Sequence, residues 1–201
     1  MRYGMVIDLE RCIGCNACTV ACKQKNATPQ GTFWCKVTTT EEGEYPKAYR
    51  KHMPTLCNHC ENAVCVNVCP TGATYKREDG IVMVDTDKCI GCRYCIAACP
   101  YGARTFNFGD KATYFPELKE ANPYEQAYTG KFKKGTVTKC IFCADRIDEG
   151  NPLPACAQAC PTQARIFGDM DTNEMQQHLV SGAYVPRPDQ RTEPNVYYLP
   201  R

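Results

Sequence analysis

Residues 5–22 read MVIDLERCIGCNACTVAC, and residues 82–99 read VMVDTDKCIGCRYCIAAC. Aligned without a gap, the two stretches agree at eight of eighteen positions, four of them cysteines. Both space their cysteines as Cys-x2-Cys-x2-Cys-x3-Cys. A chain that repeats one cysteine ruler is building one kind of unit more than once.

The rest of the chain carries two looser copies. The 17 cysteines of the 201 residues fall into four sets of four, with Cys35 left over. Set one is Cys12, Cys15, Cys18 and Cys22. Set two is Cys57, Cys60, Cys65 and Cys69, with two residues inserted between its second and third members. Set three is Cys89, Cys92, Cys95 and Cys99. Set four is Cys140, Cys143, Cys156 and Cys160, with ten inserted at the same place. Sets two, three and four are followed by Pro70, Pro100 and Pro161, whereas set one has Lys23 there. So much cysteine, with little Leu, Ile, Val and Phe, predicts a fold held by something besides apolar burial. A formal net charge of +2 gives no whole-chain field suited to nucleic acid or an anionic membrane.

Three chemistries compete for these thiols. Disulfides suit a secreted chain, but no signal peptide is visible, and three thiols within seven residues crowd one turn. Structural zinc takes two Cys-x-x-Cys pairs, which leaves the third cysteine of the ruler without a role. Sixteen catalytic thiols are implausible. The remaining reading is [4Fe–4S] clusters, whose bacterial run is C-x2-C-x2-C-x3-C-P, with the fourth cysteine ligating the other cluster of a pair. Three close thiolates wrap one cube, and the loop's N–H groups offset its charge. The fourth, expected to open a short helix, points to the neighbouring cube.

Sets two and three are joined by PTGATYKREDGIVMVDTDK, which reads as strand, turn and strand. That makes residues 50–107 one two-cluster lobe. Sets one and four then pair by elimination, and the flanking sequence agrees. YGMVID before set one and PTQARIFGD after set four match the two arms of that hairpin. The spacing therefore predicts Ala164–Gly168 antiparallel to Tyr3–Asp8, and a second lobe from residues 1–30 plus 138–170 that is the first one circularly permuted. The expected ligand sets are Cys12, Cys15, Cys18 and Cys160 (cluster 1); Cys22, Cys140, Cys143 and Cys156 (cluster 2); Cys57, Cys60, Cys65 and Cys99 (cluster 3); and Cys69, Cys89, Cys92 and Cys95 (cluster 4). All sixteen bind iron as thiolates, and the fold class is α+β, two ferredoxin-like lobes with loop insertions and an extended C-terminal tail.

In this order the four sets resemble the four-cluster iron–sulfur subunits of molybdopterin oxidoreductases. MVIDLERCIGC, PTLCNHCENAVCVNVCPTGATYKREDG, CIGCRYCIAACPYGARTFN and TKCIFCADRIDEGNPLPACAQACPTQARIFGD look most like the polysulfide and arsenate reductase branch, with dimethyl sulfoxide and thiosulfate reductases in the same family. Nitrate reductase relatives replace one set-three cysteine with tryptophan, but Cys92 is intact here. The resemblance covers about residues 3–170. It implies a non-catalytic electron-transfer subunit with four [4Fe–4S] clusters. Its partners would be a catalytic subunit holding a molybdenum or tungsten pterin and a quinone-reactive membrane subunit or a cytochrome. A carrier for a nitrite-reducing or hydrogenase system is the alternative. Such complexes are commonly exported folded by the twin-arginine route, with the catalytic chain bearing the signal. That implies a periplasmic or outer-face location, with the cytoplasm as the alternative. The N-terminus MRYGMVIDLE shows no apolar leader or paired arginines, and no run of about 18–20 apolar residues suggests a membrane span.

The remaining segments carry weaker expectations. Residues 31–49 link the lobes, and GTFWCKVTTTEEGEYPKAYRKHMPT reads as strands about an EEGEYP turn. Cys35 is read as a small buried filler and Trp34 as packing. Residues 108–137 are an aromatic, proline-containing insertion, either a partner-docking loop or a flap over a lobe, with KFKKG as a solvated basic cluster. In residues 171–201, DTNEMQQHLVSG predicts a short helix capped by Asp171 or Thr172. Met175 and Leu179 would face inward and Gly182 would end it, before a wrapping tail that closes on NVYYL. His59, between two ligands, is given a supporting or surface role; His52 and His178 are ordinary. Arg11, Lys88, Arg93, Lys139 and Arg146 are the cations near ligands in sequence, opposed by Asp8, Asp85, Asp87 and Asp145.

Overall fold

The computed structural model describes residues 1–109, 117, 120, 122–127 and 131–201. Thirteen of the thirty residues of the 108–137 insertion therefore lie outside the described residues. In chain order the elements are strand β1 (Tyr3–Asp8), helix α1 (Ala17–Asn26), β2 (Cys35–Glu42), β3 (Tyr49–Leu56), α2 (Val64–Asn67), β4 (Thr74–Lys76), β5 (Val82–Val84), α3 (Tyr94–Ala97) and β6 (Arg104–Phe106). Then follow α4 (Pro123–Ala127), β7 (Val137–Lys139), α5 (Ala144–Asp148), α6 (Ala155–Gln158), β8 (Arg165–Asp169), α7 (Asn173–Val180) and β9 (Val196–Leu199).

The repeat is repeated in three dimensions. β1 and β5 each deliver the chain to a cysteine loop, and the shared aspartate turns it. Asp8 Oδ1 accepts from the N–H groups of Glu10 and Arg11 at 2.9 and 3.1 Å. Asp85 Oδ1 does the same for Asp87 and Lys88 at 2.9 and 3.3 Å. An aspartate that bonds backbone two and three residues on is a turn device. Ile13 and Ile90 then stand out at 60% and 66% exposure.

The short helices correct one expectation. Each contains the third cysteine of its set: Cys65 in α2, Cys95 in α3, Cys156 in α6 and Cys18 in α1. The fourth cysteine follows the helix in sets two, three and four and does not open it. The prolines next to Cys69, Cys99 and Cys160 lack an N–H and cannot continue the helix, so α2, α3 and α6 stop after four residues. Set one has Lys23 instead, and α1 runs on for ten residues with Cys22 inside it. Lys23 Nζ then donates to the carbonyls of Thr28, Pro29 and Thr32 at 3.3, 3.1 and 2.9 Å and ties down the loop after the helix.

The expected hairpin is present: β4 and β5 pair antiparallel, Thr74 opposite Val84. β1 and β8 also pair antiparallel, with Gly4 opposite Gly168 and Met5 opposite Phe167, across more than 160 residues of sequence. Both crossings between the cysteine sets are ladders too, β2 with β3 and β6 with β7. β9 adds to the free edge of β1 in parallel, Met5 opposite Val196, making a β8-β1-β9 sheet. Met5, Val6 and Ile7 are wholly buried in it, worth roughly 1.5–3 kcal/mol each. The largest core cluster mixes Met5 and Ile7 with Leu9, Ile81, Phe142, Phe167 and Tyr198 and with Cys18, Cys22, Cys57, Cys140 and Cys156, while Val6 packs on the other face with Met170 and Met175.

The tail folds back as a strap. Thr172 caps α7, its hydroxyl accepting from Met175 N–H at 3.4 Å, and Met175 is buried. Further on, Glu193 and Thr192 carbonyls accept from Glu61 and Asn62, and Asn195 donates to the carbonyls of Asn58 and His59. The last strand therefore closes over the set-two loop as well as β1.

Candidate iron–sulfur sites

Three chambers open in the described residues, each lined by four cysteines. Cys12, Cys15, Cys18 and Cys160 line one. Cys57, Cys60, Cys65 and Cys99 line another. Cys69, Cys89, Cys92 and Cys95 line a third. Each draws three cysteines from one set and one from the end of its partner set, the crossed arrangement the spacing predicts. The fourth quartet, Cys22, Cys140, Cys143 and Cys156, is buried throughout. Burial pushes Cys22 up to about 12, and the neighbouring Cys156 and Cys143 push the same way. Cys140 is raised by burial, then by Cys22, Cys57 and Cys156. Cys57 belongs to another chamber, so the two inner quartets adjoin.

The donor chemistry suits iron–sulfur clusters. Burial raises Cys60 to about 12 and also raises Cys12, Cys65, Cys95, Cys143 and Cys156. Four such thiols cannot ionise together in one low-dielectric chamber unless a cation shares it. Backbone N–H groups already face several of the sulfurs. Thr74 N–H points at Cys69 Sγ at 3.4 Å and Phe142 N–H at Cys140 Sγ at 3.5 Å. Cys69 is raised by burial, but the Thr74 N–H and its neighbours bring it down to about 7. The residues present thus fit cubes held by four thiolates each, which supply one-electron redox chemistry when bound.

Cys35 is more than a filler. It is 1% exposed, its Sγ accepts from Arg165 Nη2 at 3.1 Å, and its thiol hydrogen-bonds Cys18, whose thiol that bond pulls below its usual range. Trp34 packs as expected, its Nε1 donating to Thr138 Oγ1 at 3.3 Å. His59 is wholly buried, so the surface alternative is wrong. Its ring stacks on Phe142 at 3.8 Å, and its Nδ1 accepts from Val82 N–H at 3.1 Å.

Sequence proximity was a poor guide to the cations. Of the five named, only Lys139 is buried. Arg104 and Arg165, both missed, are buried against thiols, Arg165 Nη1 lying 3.7 Å from Cys156 Sγ. A signal was available: CPYGAR at 99–104 and CPTQAR at 160–165 place an arginine five residues after the last cysteine of each set.

The comparisons agree with this geometry. The sequence matches the 4Fe-4S dicluster domain over residues 48–114 and 105–170, and a second 4Fe-4S dicluster domain family over 11–73. The chain belongs to the 4Fe-4S dicluster family. Its cofactors are accordingly [4Fe–4S] clusters. Within the family it is 45% identical to a selenate reductase subunit of Mesobacillus selenatarsenatis, over 99% of this chain and 72% of that one. It is 38% identical to the arsenate respiratory reductase iron–sulfur subunit of a Shewanella species, over 99% and 96%. It is 41% identical to a tetrathionate reductase subunit of Salmonella typhimurium, over 98% and 72%. No described helix is long and apolar enough to cross a membrane.

Proposed function

We propose that this dicluster chain is the electron-transfer subunit of a respiratory molybdopterin reductase and relays electrons along four [4Fe–4S] clusters in a row. The ligands are the four cysteine quartets above, in the order 1, 2, 3, 4. Clusters 1 and 2 share the lobe of residues 1–30 and 138–170, which is the lobe of residues 50–107 circularly permuted. The antiparallel β1–β8 ladder, matching β4–β5, supports that permutation. A Mo or W catalytic subunit takes one end of the row, and a quinone-linked membrane subunit or cytochrome takes the other. We place the complex in the periplasm or on the outer face of the membrane, exported with its catalytic partner.

The observation that carries this reading is where exposure falls. Among the seventeen cysteines only Cys15 and Cys92 are exposed, one in each terminal quartet. Beside them stand the exposed apolar side chains of Ile13 and Val20 at one end and Ile90 and Tyr94 at the other. A relay needs buried inner cubes and two accessible ends; a catalytic iron–sulfur site needs a missing ligand, and each quartet is complete.

Anaerobic purification of the native assembly tests it. The expected result is about sixteen irons per chain, four per cube, with reducible paramagnetic centres and a molybdopterin subunit among the co-purifying chains by mass spectrometry. A colourless protein, or one holding zinc and no iron, would overturn the reading.

A further inference from the structure

Among the described residues the buried ionic side chains are Arg165, Lys139 and Arg104, at 5%, 1% and 6% exposure, and no Asp or Glu is buried with them. A cation in a low-dielectric interior is costly unless an anion stands against it. Each of the three stands against two different quartets. Arg165 lines the chamber of the first quartet, and its Nη1 lies 3.7 Å from Cys156 Sγ of the second. Lys139 is bonded to the carbonyl of Cys140 of the second and to that of Val82, which lines the chamber of the third. Arg104 lines the third chamber, and its Nη1 bonds Thr74, which lines the fourth.

The mountings are specific. Lys139 Nζ donates to the carbonyls of Val82 and Cys140, one from each lobe. Arg104 Nη1 donates to Thr74 Oγ1 at 3.2 Å, and its buried Nη2 has no hydrogen-bond partner. Thr74 occupies, in CPTGAT after set two, the position that arginine takes in CPYGAR and CPTQAR. The pseudo-equivalent residue of the partner set therefore holds the guanidinium in place.

We propose that one buried cation stands in each of the three gaps along the row of cubes and raises the reduction potential of the cube on either side of it. This rests on the four-cluster reading above. A cube ringed by four thiolates is anionic, and each arriving electron makes it more so. A fixed positive charge between two cubes offsets their mutual repulsion and favours the reduced form of both. Arg165 serves clusters 1 and 2, Lys139 clusters 2 and 3, and Arg104 clusters 3 and 4. They are positioning residues for electron transfer and touch no substrate.

The test is anaerobic potentiometric titration, followed by electron paramagnetic resonance, of the native assembly and of Arg165→Gln, Lys139→Gln and Arg104→Gln. Arg165→Lys, Lys139→Arg and Arg104→Lys keep the charge. Each neutral variant is expected to lower two of the four potentials by a tenfold change in the one-electron equilibrium, about 59 mV. The pair moved by Lys139→Gln shares one member with each of the other two pairs, and the charge-retaining variants stay close to wild type. Unmoved potentials, one cube moving alone, all four moving together, or equal shifts with and without the charge would overturn the proposal. If a neutral variant loses iron, its charge-retaining counterpart decides: full iron there supports the charge role, and loss in both refutes it. Iron is counted first in the wild type, where its absence sinks the cluster reading itself.

Discussion

Gly14, His59, Gly91 and Phe142 hold one place in four Cys-x-x-Cys pairs, and all four are left-handed, with φ of 69, 43, 72 and 50°. Glycine adopts that conformation freely; other L-residues lose about 1–2 kcal/mol. The glycines fall in the sets that hold the two exposed cysteines, Cys15 and Cys92. His59 and Phe142 fall where the inner quartets meet, and their 3.8 Å stack offsets the backbone strain with buried ring contact. A Cβ on Gly91 would stand 2.1 Å from the Gly135 carbonyl oxygen, which is backbone and cannot step aside. Gly91→Ala is therefore expected to cost about 2 kcal/mol or more, read as a lower melting temperature and reduced iron per chain. Cys92→Ser should alter one cluster and interrupt electron transfer while partner binding survives. Unchanged cluster signals with full turnover would refute that ligand. Cys35→Ala, by contrast, should retain full iron, because Cys35 stands outside the four proposed quartets and bonds Cys18 of the first. Loss of its hydrogen bond to Cys18 is expected to lower the potential of a single cube, since hydrogen bonds to cluster sulfurs are one of the terms that set it.

Among the elements, the contrast between α1 and its three short counterparts comes down to one side chain. Proline halts α2, α3 and α6, while Lys23 lets α1 continue and commits its ammonium to three loop carbonyls. β9 is the second informative element. It covers β1 on the edge that β8 leaves free, and the residues before it bond the set-two loop at Asn58, Glu61 and Asn62. Truncation after Gln190 removes both contacts. The shortened chain is expected to lose protection from hydrogen exchange at the β1 amides and to hold less iron in the chamber lined by Cys57 and Thr192. Native exchange rates and iron content would show that the tail is dispensable.

At the scale of the whole molecule, the chain around sets two and three meets the chain around set four through buried groups. The His59–Phe142 stack, the Lys139 bridge between Val82 and Cys140, and the approach of Cys57 to Cys140 all lie at that junction. On the surface Arg77 grips Asp148 through both guanidinium nitrogens, at 2.8 and 2.6 Å, and exposed pairs of this kind add little. With five of the proposed ligand cysteines inside the largest core cluster, folding and cofactor binding are expected to be coupled. Oxidative loss of iron in the presence of a chelator is accordingly expected to unfold both lobes together. Circular dichroism and limited proteolysis would check this, and a compact, protease-resistant iron-free chain would contradict it.

The sequence by itself determined the four cysteine spacings, the β4–β5 and β2–β3 hairpins, the α7 helix with its Thr172 cap, and the closure of β1 on β8. Each is written as a spacing or a local pattern: cluster ligands must sit at fixed separations, turns need their residues side by side, and a repeated unit betrays its missing half. Other features belonged to the tertiary structure. The parallel seat of β9 depends on which edge of β1 is open, and no local code records that. The burial of Lys139, while Arg11, Lys88 and Arg93 stand exposed, depends on which side of each loop the rest of the fold covers. His59 and Phe142 look unrelated along the chain, and only the folded chain makes them a pair. Ligand identity is a matter of covalent reach along the backbone, whereas the electrostatics between cubes is a matter of distance through space, and folding alone fixes that.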